Sequence, residues 1–312
     1  MKTYTYLSIE ANGRYFRRSH LTYVGLAWYE KNQIIYREWF PTKEEEEPEV
    51  LEELFAFLLN FQEIKTYNGS GFALPYLKNK AKAYRIACCL DEIAHDDLRY
   101  TYAPLKKPLG LLSMKQRDLE SFLGLASDLE RKSYELGDSL RTMPYLKAFD
   151  NYLTYFTSPP KNITASILED KLCLSFDNPI KLPKAFHIAK DLFYMKVKKD
   201  KTQILLPLLK GSLKCYFKNY KDYYYLPLED TAIHKSLGSF VDKSRRQKAS
   251  PKTCFQKKEG IFYPLFNHEI SELFVCKYDY DDPIAYQILD RRQIESQDWL
   301  EKYVDSIFHF VF

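Results

Sequence analysis

Apolar and polar positions alternate along residues 3–9, with β-branched and aromatic side chains frequent, and this period-two pattern predicts a strand. Residues 21–29 and 33–40 predict two further strands, joined by a turn around Glu30-Lys-Asn32. The run Lys43-Glu-Glu-Glu-Glu-Pro48 then opens a helix, because acids suit the positive end of the helix dipole and proline is tolerated in a first turn. Leu51, Leu54, Phe55 and Leu58 follow at i, i+3, i+4 and i+7, so one face of that helix is buried. The clustered glutamates read as a solvated helix start in preference to a metal site. Residues 63–67 predict a short strand, Asn68-Gly-Ser-Gly71 a turn, and the segment through Tyr84 a second helix. Ser113 is placed to N-cap a helix carrying Leu119, Phe122 and Leu123 that ends near Gly124. Three antiparallel strands, a helix, a strand and a helix make an α/β domain: a mixed sheet flanked by helices.

After Ser158-Pro-Pro-Lys161 the pattern changes to short β-like runs at 171–176, 203–209 and 213–217, separated by turn signals. Two domains are expected, 1–158 and 161–312, the second a β-rich C-terminal module. It closes with a terminal helix over 296–312, in which Trp299, Tyr303, Ile307 and Val311 share one face with Leu300, Val304 and Phe308 beside it. Docking of that helix onto the core is preferred to a membrane-surface role.

Composition narrows the class. The 312-residue chain is 46% hydrophobic and 28% charged, and no apolar run approaches the roughly 20 residues that span a bilayer. The start lacks the continuous apolar stretch of a signal peptide, so no membrane partner and a cytoplasmic location are the expectations. The six cysteines include no C-x-x-C pair, which points to reduced, mostly buried thiols. Net charge is +4 and unevenly placed: 1–160 holds 21 basic and 22 acidic residues, the remainder 25 and 20. Residues 235–258 concentrate Lys235, Lys243, Arg245, Arg246, Lys248, Lys252, Lys257 and Lys258 against one acid, Asp242. Such a cluster is a candidate contact for a phosphate backbone. Tyr223-Tyr-Tyr225 beside it offers aromatic rings, read as packing in preference to base stacking, and His234 reads equally as a cap or a phosphate contact. No P-loop or G-x-S-x-G element is present.

Two segments carry candidate chemistry. The first is Tyr6-Leu-Ser-Ile-Glu-Ala-Asn-Gly13, where Ser8 and Glu10 point to the same side of a strand. The second is Thr66-Tyr-Asn-Gly-Ser-Gly-Phe-Ala-Leu-Pro-Tyr-Leu77. With Tyr36-Arg-Glu-Trp-Phe40, Lys115–Leu125 and Tyr220–Lys243 they resemble the YprB-like ribonuclease H-like proteins, a branch of the DEDD 3′–5′ exonucleases. The resemblance implies a ribonuclease H-like fold and carboxylates that hold two Mg2+ or Mn2+ ions, since hard dications take oxygen ligands. The first motif's aspartate is Ser8 here, its glutamate is Glu10, and the second motif's aspartate, expected after Asn68 and Phe72, is Ala73. The family's last motif, His-Asn-x-x-Asp on a late helix, has no counterpart string. Asp150 is the nearest substitute, with Leu146 four residues before it, and Tyr134 and Asp138 show a Tyr-x-x-x-Asp spacing that lies too early. His95-Asp-Asp97 reads as a structural strand or helix start in preference to a metal site.

The expectation is a nucleic-acid-binding protein of exonuclease lineage, partnered by DNA or RNA, with reduced or lost cleavage: a pseudoenzyme whose remnant metal ligand is Glu10. Two alternatives stand. One is an active metal-dependent 3′–5′ exonuclease using Glu10, Asp96, Asp97 and Asp150; the other is a non-catalytic protein-interaction scaffold.

Overall fold

In the computed structural model, which describes residues 2–125, 135–267 and 274–312, the chain divides into two units, Met1–Leu153 and Thr154–Phe312. The division falls inside a helix, a few residues before the Ser158–Lys161 segment. The first unit begins with β1 (Lys2–Ala11), β2 (Leu21–Glu30) and β3 (Gln33–Trp39), followed by α1 (Glu47–Leu58), β4 (Phe61–Thr66), α2 (Ala73–Tyr84) and β5 (Ala94–Asp97). The short α3 (Leu98–Thr101), α4 (Gln116–Leu123), α5 (Asp138–Thr142) and α6 (Ala148–Thr157) come next, α6 running across the division. The sheet order is β3-β2-β1-β4-β5, with β1 antiparallel to β2 and parallel to β4. This is the mixed sheet flanked by helices that the opening pattern predicts.

β1 is central, and both of its faces are covered. Leu7 and Ile9 join Leu51, Leu54, Phe55 and Leu77 in one apolar cluster, which seats α1 and α2 on the sheet. Tyr6, Ser8 and Glu10 face the other way, and Ser8 stands opposite Gly25 of β2. α4 ends at Gly124, with φ +77, as the glycine signal implies. Its start departs from expectation: Lys115 is the N-cap residue, and Ser113 instead accepts from Lys115 N–H at 3.1 Å and bonds Asp118.

The glutamate run is only partly the solvated helix start expected of it. Glu44, Glu45 and Glu46 are exposed, but Glu47 is fully buried. Its carboxylate accepts from Lys80 Nζ at 2.7 Å, from the Leu21 N–H and from the Tyr84 hydroxyl. Lys80 is itself 2% exposed, so the pair ties α1 to α2 and to the start of β2 inside the core.

The second unit is β-rich. β6 (Thr164–Leu168), β7 (Lys171–Asp177), β8 (Phe186–Lys190), β9 (Phe193–Val197) and β10 (Lys201–Pro207) form a sheet of order β6-β7-β10-β9-β8. β11 (Leu209–Phe217) leads on to β12 (Tyr223–Leu226), β13 (Thr231–His234), α7 (Lys235–Gly238) and β14 (Gln247–Lys248), the three strands β13-β12-β14 making a small sheet. β15 (Phe255–Leu265), β16 (Phe274–Lys277) and β17 (Ala285–Ile288) close a barrel with β11, and α8 (Arg291–Glu295) and α9 (Gln297–Val311) finish the chain. α9 docks within this unit: Tyr303 donates to the Pro264 carbonyl at 2.6 Å, and Phe308 meets Tyr155, Phe156 and Phe176. Among the described residues no helix is long and apolar enough to cross a membrane.

The thiols depart from the expectation of a fully reduced set. Cys215 of β11 and Cys276 of β16 stand directly opposite in register and are joined as a disulfide, whereas Cys88, Cys89, Cys173 and Cys254 are free. Sequence spacing carries no signal for a pair 61 residues apart.

Lys80→Ala strands the Glu47 carboxylate in the core and is expected to lower unfolding stability by about 3–5 kcal/mol, read from urea melts. Replacing both residues with leucine is expected to recover most of that loss. A Lys80→Ala protein as stable as the parent would contradict the buried pair.

Candidate functional site

Ser8 and Glu10 lie in the carboxyl half of β1, beyond the Tyr6–Lys65 pair at which its register with β4 ends; the Asn68–Gly71 turn follows β4. Together with Thr66, Asn68, Phe72, Ala73, Ser139 and Met143 they line a cleft of about 270 Å³. The two sequence motifs therefore meet in space. Asn68 adopts φ +60 and opens the turn, and Ala73 begins α2 directly behind it.

The turn is held from below by Asp97. Its carboxylate accepts from the backbone N–H of Asn68 at 2.7 Å and of Ser70 at 3.0 Å, and it caps α3 through the Arg99 N–H at 3.2 Å. Asp96 points elsewhere, to Lys65 Nζ at 2.7 Å and to the Thr101 hydroxyl at 2.5 Å. Burial opposes ionisation of Asp96, but these two donors prevail and hold its carboxyl below the usual range. His95 Nε2 bonds Thr66 Oγ1 at 2.8 Å, and burial pushes its imidazole down despite Asp97 and Asp96 nearby. The His95-Asp-Asp97 segment is thus an internal brace of β4 and of the turn that follows it.

Asp150 stands apart from the cleft. It is exposed on α6, accepts from the Tyr102 hydroxyl at 2.9 Å, and is not among the residues lining the cleft. Leu146, four residues earlier, is fully buried. The later part of the unit brings two side chains to the cleft, Ser139 on α5 and Met143 just after it, four positions apart. They stand at i, i+4 and carry neither an imidazole nor a carboxylate. Sequence reading missed them because serine and methionine carry no chemical signal; the spacing and the following Leu146 and Phe149 core positions were the only clues. Of the Tyr-x-x-x-Asp pair, Tyr134 lies outside the described residues; Asp138 begins α5 and accepts from the Glu135 N–H at 2.9 Å.

Two glycines let α5 approach so closely. A Cβ on Gly25 would lie 2.6 Å from Leu140 Cδ2, so only glycine opposite Ser8 admits that leucine. Gly137 has φ +85, and a Cβ there would meet the Tyr23 ring at 2.9 Å. The Gly137 N–H donates to Glu10 Oε1 at 2.9 Å. Glu10 thus holds the entrance of α5.

The residues present do not fit a two-metal centre. Several anionic oxygens must converge to offset two dications. Glu10 is the only carboxylate lining the cleft among the described residues; Ser8, Ala73, Ser139 and Met143 supply no charge. Among the described residues no group of three or more His, Cys, Asp or Glu side chains is placed to hold a metal.

The basic stretch of the second unit is partly neutralised at home. Arg245 pairs with Glu229 at 2.6 Å, Lys252 with Asp281 at 2.7 Å and Lys257 with Asp230 at 2.9 Å. Arg246 and Lys235 lie over the Tyr224 ring at 4.6 and 5.7 Å, and Lys258 lies over Phe274 at 4.0 Å. Lys243 and Lys248 show no ion pair among the described residues. His234 caps α7 through Ser236, and Tyr223 stacks on Phe217 at 4.6 Å, so both serve local packing. Beside them Phe240 and Leu237 project outward, 89% and 61% exposed.

Residues 5–135 match the family model of the RNase H superfamily, RNase_H_2, a span somewhat under half of the chain. The first unit is a ribonuclease H-like domain, and its lineage is one concerned with nucleic acid. No curated protein matches the chain.

Glu10→Ala removes the acceptor of the Gly137 N–H and is expected to cost about 1–2 kcal/mol in urea melts, whereas Glu10→Gln keeps a carbonyl acceptor and costs less. A Glu10→Ala variant more stable than the parent would instead mark a glutamate kept at the expense of stability. For Asp96, the lowered folded-state pKa means that its stabilisation is present above the unfolded value, about pH 4, and is lost as pH falls through the folded value. Asp96→Asn is expected to cost about 1–3 kcal/mol at pH 7, and the gap is expected to narrow progressively as pH falls below about 4; a gap that does not change with pH would contradict the charge-assisted brace.

Proposed function

We propose that this protein binds nucleic acid on a ribonuclease H-like scaffold whose cleft has given up two-metal hydrolysis. One observation supports the reading: the five positions Ser8, Glu10, Ala73, Ser139 and Met143 line one cleft but hold one carboxylate, which accepts from the Gly137 N–H. The finer likeness, to the YprB-like branch of the DEDD exonucleases, rests on the motif segments themselves. It makes Mg2+ or Mn2+ the ions such a site would have used.

Binding without cleavage needs cations outside the cleft. Lys243 and Lys248 are available in the 235–258 stretch, and the exposed ion pairs of Arg245, Lys252 and Lys257 are weak enough to exchange an acid for a phosphate. The exonuclease alternative gains nothing from the geometry: Asp97 braces the turn, Asp96 is engaged by Lys65 and Thr101, and Asp150 lies outside the cleft lining.

The purified chain is expected to bind labelled DNA or RNA oligonucleotides with an affinity that falls steeply with salt. With Mn2+ or Mg2+ it is expected to release no more mononucleotide than its Glu10→Gln variant. Metal-dependent degradation that Glu10→Gln abolishes would overturn the loss of catalysis. Salt-insensitive or undetectable binding to single- and double-stranded forms would overturn the binding role.

A further inference from the structure

We propose that the outward face of the β6–β10 sheet is a binding site for single-stranded nucleic acid. This rests on the nucleic-acid reading above and extends it to a surface that the 235–258 stretch does not include.

Strand alternation separates the two faces of this sheet. Ile204, Leu206, Leu172, Leu174, Met195 and Val197 are buried on one side, so their neighbours must stand on the other. Register then assembles a continuous polar row across the five strands: Thr164 opposite Ser175, Ser175 opposite Gln203, Gln203 opposite Lys196, and Lys196 opposite His187. A solvated sheet face would need nothing more than this, but three further features distinguish it.

The face is concave. Thr164, Ser175, Gln203, Lys196, Lys198 and Lys201 contribute to a groove of about 410 Å³. It is also cationic: its three lysines face one acid, Asp177, which pairs loosely with Lys201 at 3.7 Å while both side chains remain largely exposed. The surrounding segment, residues 181–201, carries seven lysines and two aspartates. Finally, it is aromatic at one side. Tyr194 lies two positions from Lys196 on the same face, 39% exposed, and its ring centroid is 6.1 Å from that of His187 at an angle of 30°.

Lysines spaced along a groove suit a phosphodiester backbone, and amide and hydroxyl groups beside them suit base edges and sugar hydroxyls. Exposed rings on a sheet face offer stacking to bases that are already unpaired, whereas the bases of a duplex are stacked on one another and cannot use them. Five strands at about 4.8 Å spacing give a platform roughly 20 Å wide. The occupant is therefore a single strand.

The experiment measures binding of fluorescein-labelled oligo-dT and oligo-U of about 20 nucleotides to the full chain across a salt series. The variants are Lys196→Ala/Lys198→Ala/Lys201→Ala, Tyr194→Ala, and, as a comparison in the other stretch, Lys243→Ala/Arg245→Ala/Lys248→Ala. The triple lysine variant is expected to lose at least tenfold in affinity and to show a salt slope shallower by about 2, at roughly 0.7 per phosphate contact on single strands. Arginine at the same three positions is expected to restore binding. Tyr194→Ala is expected to lose about tenfold with the slope unchanged, because stacking releases no counterion. Parent-like binding by the triple lysine variant, with loss confined to the 243–248 variant, would overturn the sheet-face site and leave the nucleic-acid reading intact. Failure of the parent chain to bind either oligonucleotide would overturn both. Equal or tighter binding of a duplex, lost in the same lysine variant, would overturn the single-strand assignment.

Discussion

The close seating of α5 on β1 and β2 governs the character of the cleft. Gly25 leaves the space that Leu140 fills, Gly137 turns the chain with a positive φ against Tyr23, and Glu10 receives the Gly137 N–H. That bond occupies one of the two carboxylate oxygens, and a single carboxylate offsets only part of one dication's charge. Once Ser8 and Ala73 bring no charge, the interaction on offer to Glu10 is this backbone amide. The helix and the residue after it in turn present Ser139 and Met143 to the cleft. The packing holds the cleft open, while the charge that two-metal chemistry needs is absent from the described residues that line it.

Much of the first unit was legible because its signals are local. Alternation at 3–9, the i, i+3, i+4, i+7 apolar set from Leu51 to Leu58, and the Asn68–Gly71 turn each depend on neighbours in sequence. The match of residues 5–135 to the RNase H superfamily agrees with that reading of the fold. What stayed hidden depends on partners distant along the chain. Glu47 looked like one of four solvated acids, yet Lys80, 33 residues on, draws it into the core. Ser139 and Met143 are inconspicuous residue types, and Asp150 drew attention only because it is an acid on a late helix.

The second unit shows the same limit on a larger scale. The 235–258 stretch is conspicuous as a run of cations, but Glu229, Asp230 and Asp281 neutralise part of it from outside the run. The lysines of the β6–β10 sheet are less conspicuous in sequence, because each strand contributes one or two, and register alone gathers them on one face. Charge counted along a chain and charge presented by a folded surface are different quantities, and the second is the one a polyanion meets. The cross-strand Cys215–Cys276 bond is likewise a product of register, invisible to spacing arguments.

Titration of the protein with Mn2+, followed by the loss of the free-ion electron paramagnetic resonance signal, tests the central claim most directly. The native chain is expected to show no saturable site tighter than millimolar, because one engaged carboxylate cannot hold the ion, whereas Ser8→Asp/Ala73→Asp/Met143→Asp is expected to create binding by surrounding Glu10 with three further acids. Two tight sites in the native chain, abolished by Glu10→Gln, would contradict the account.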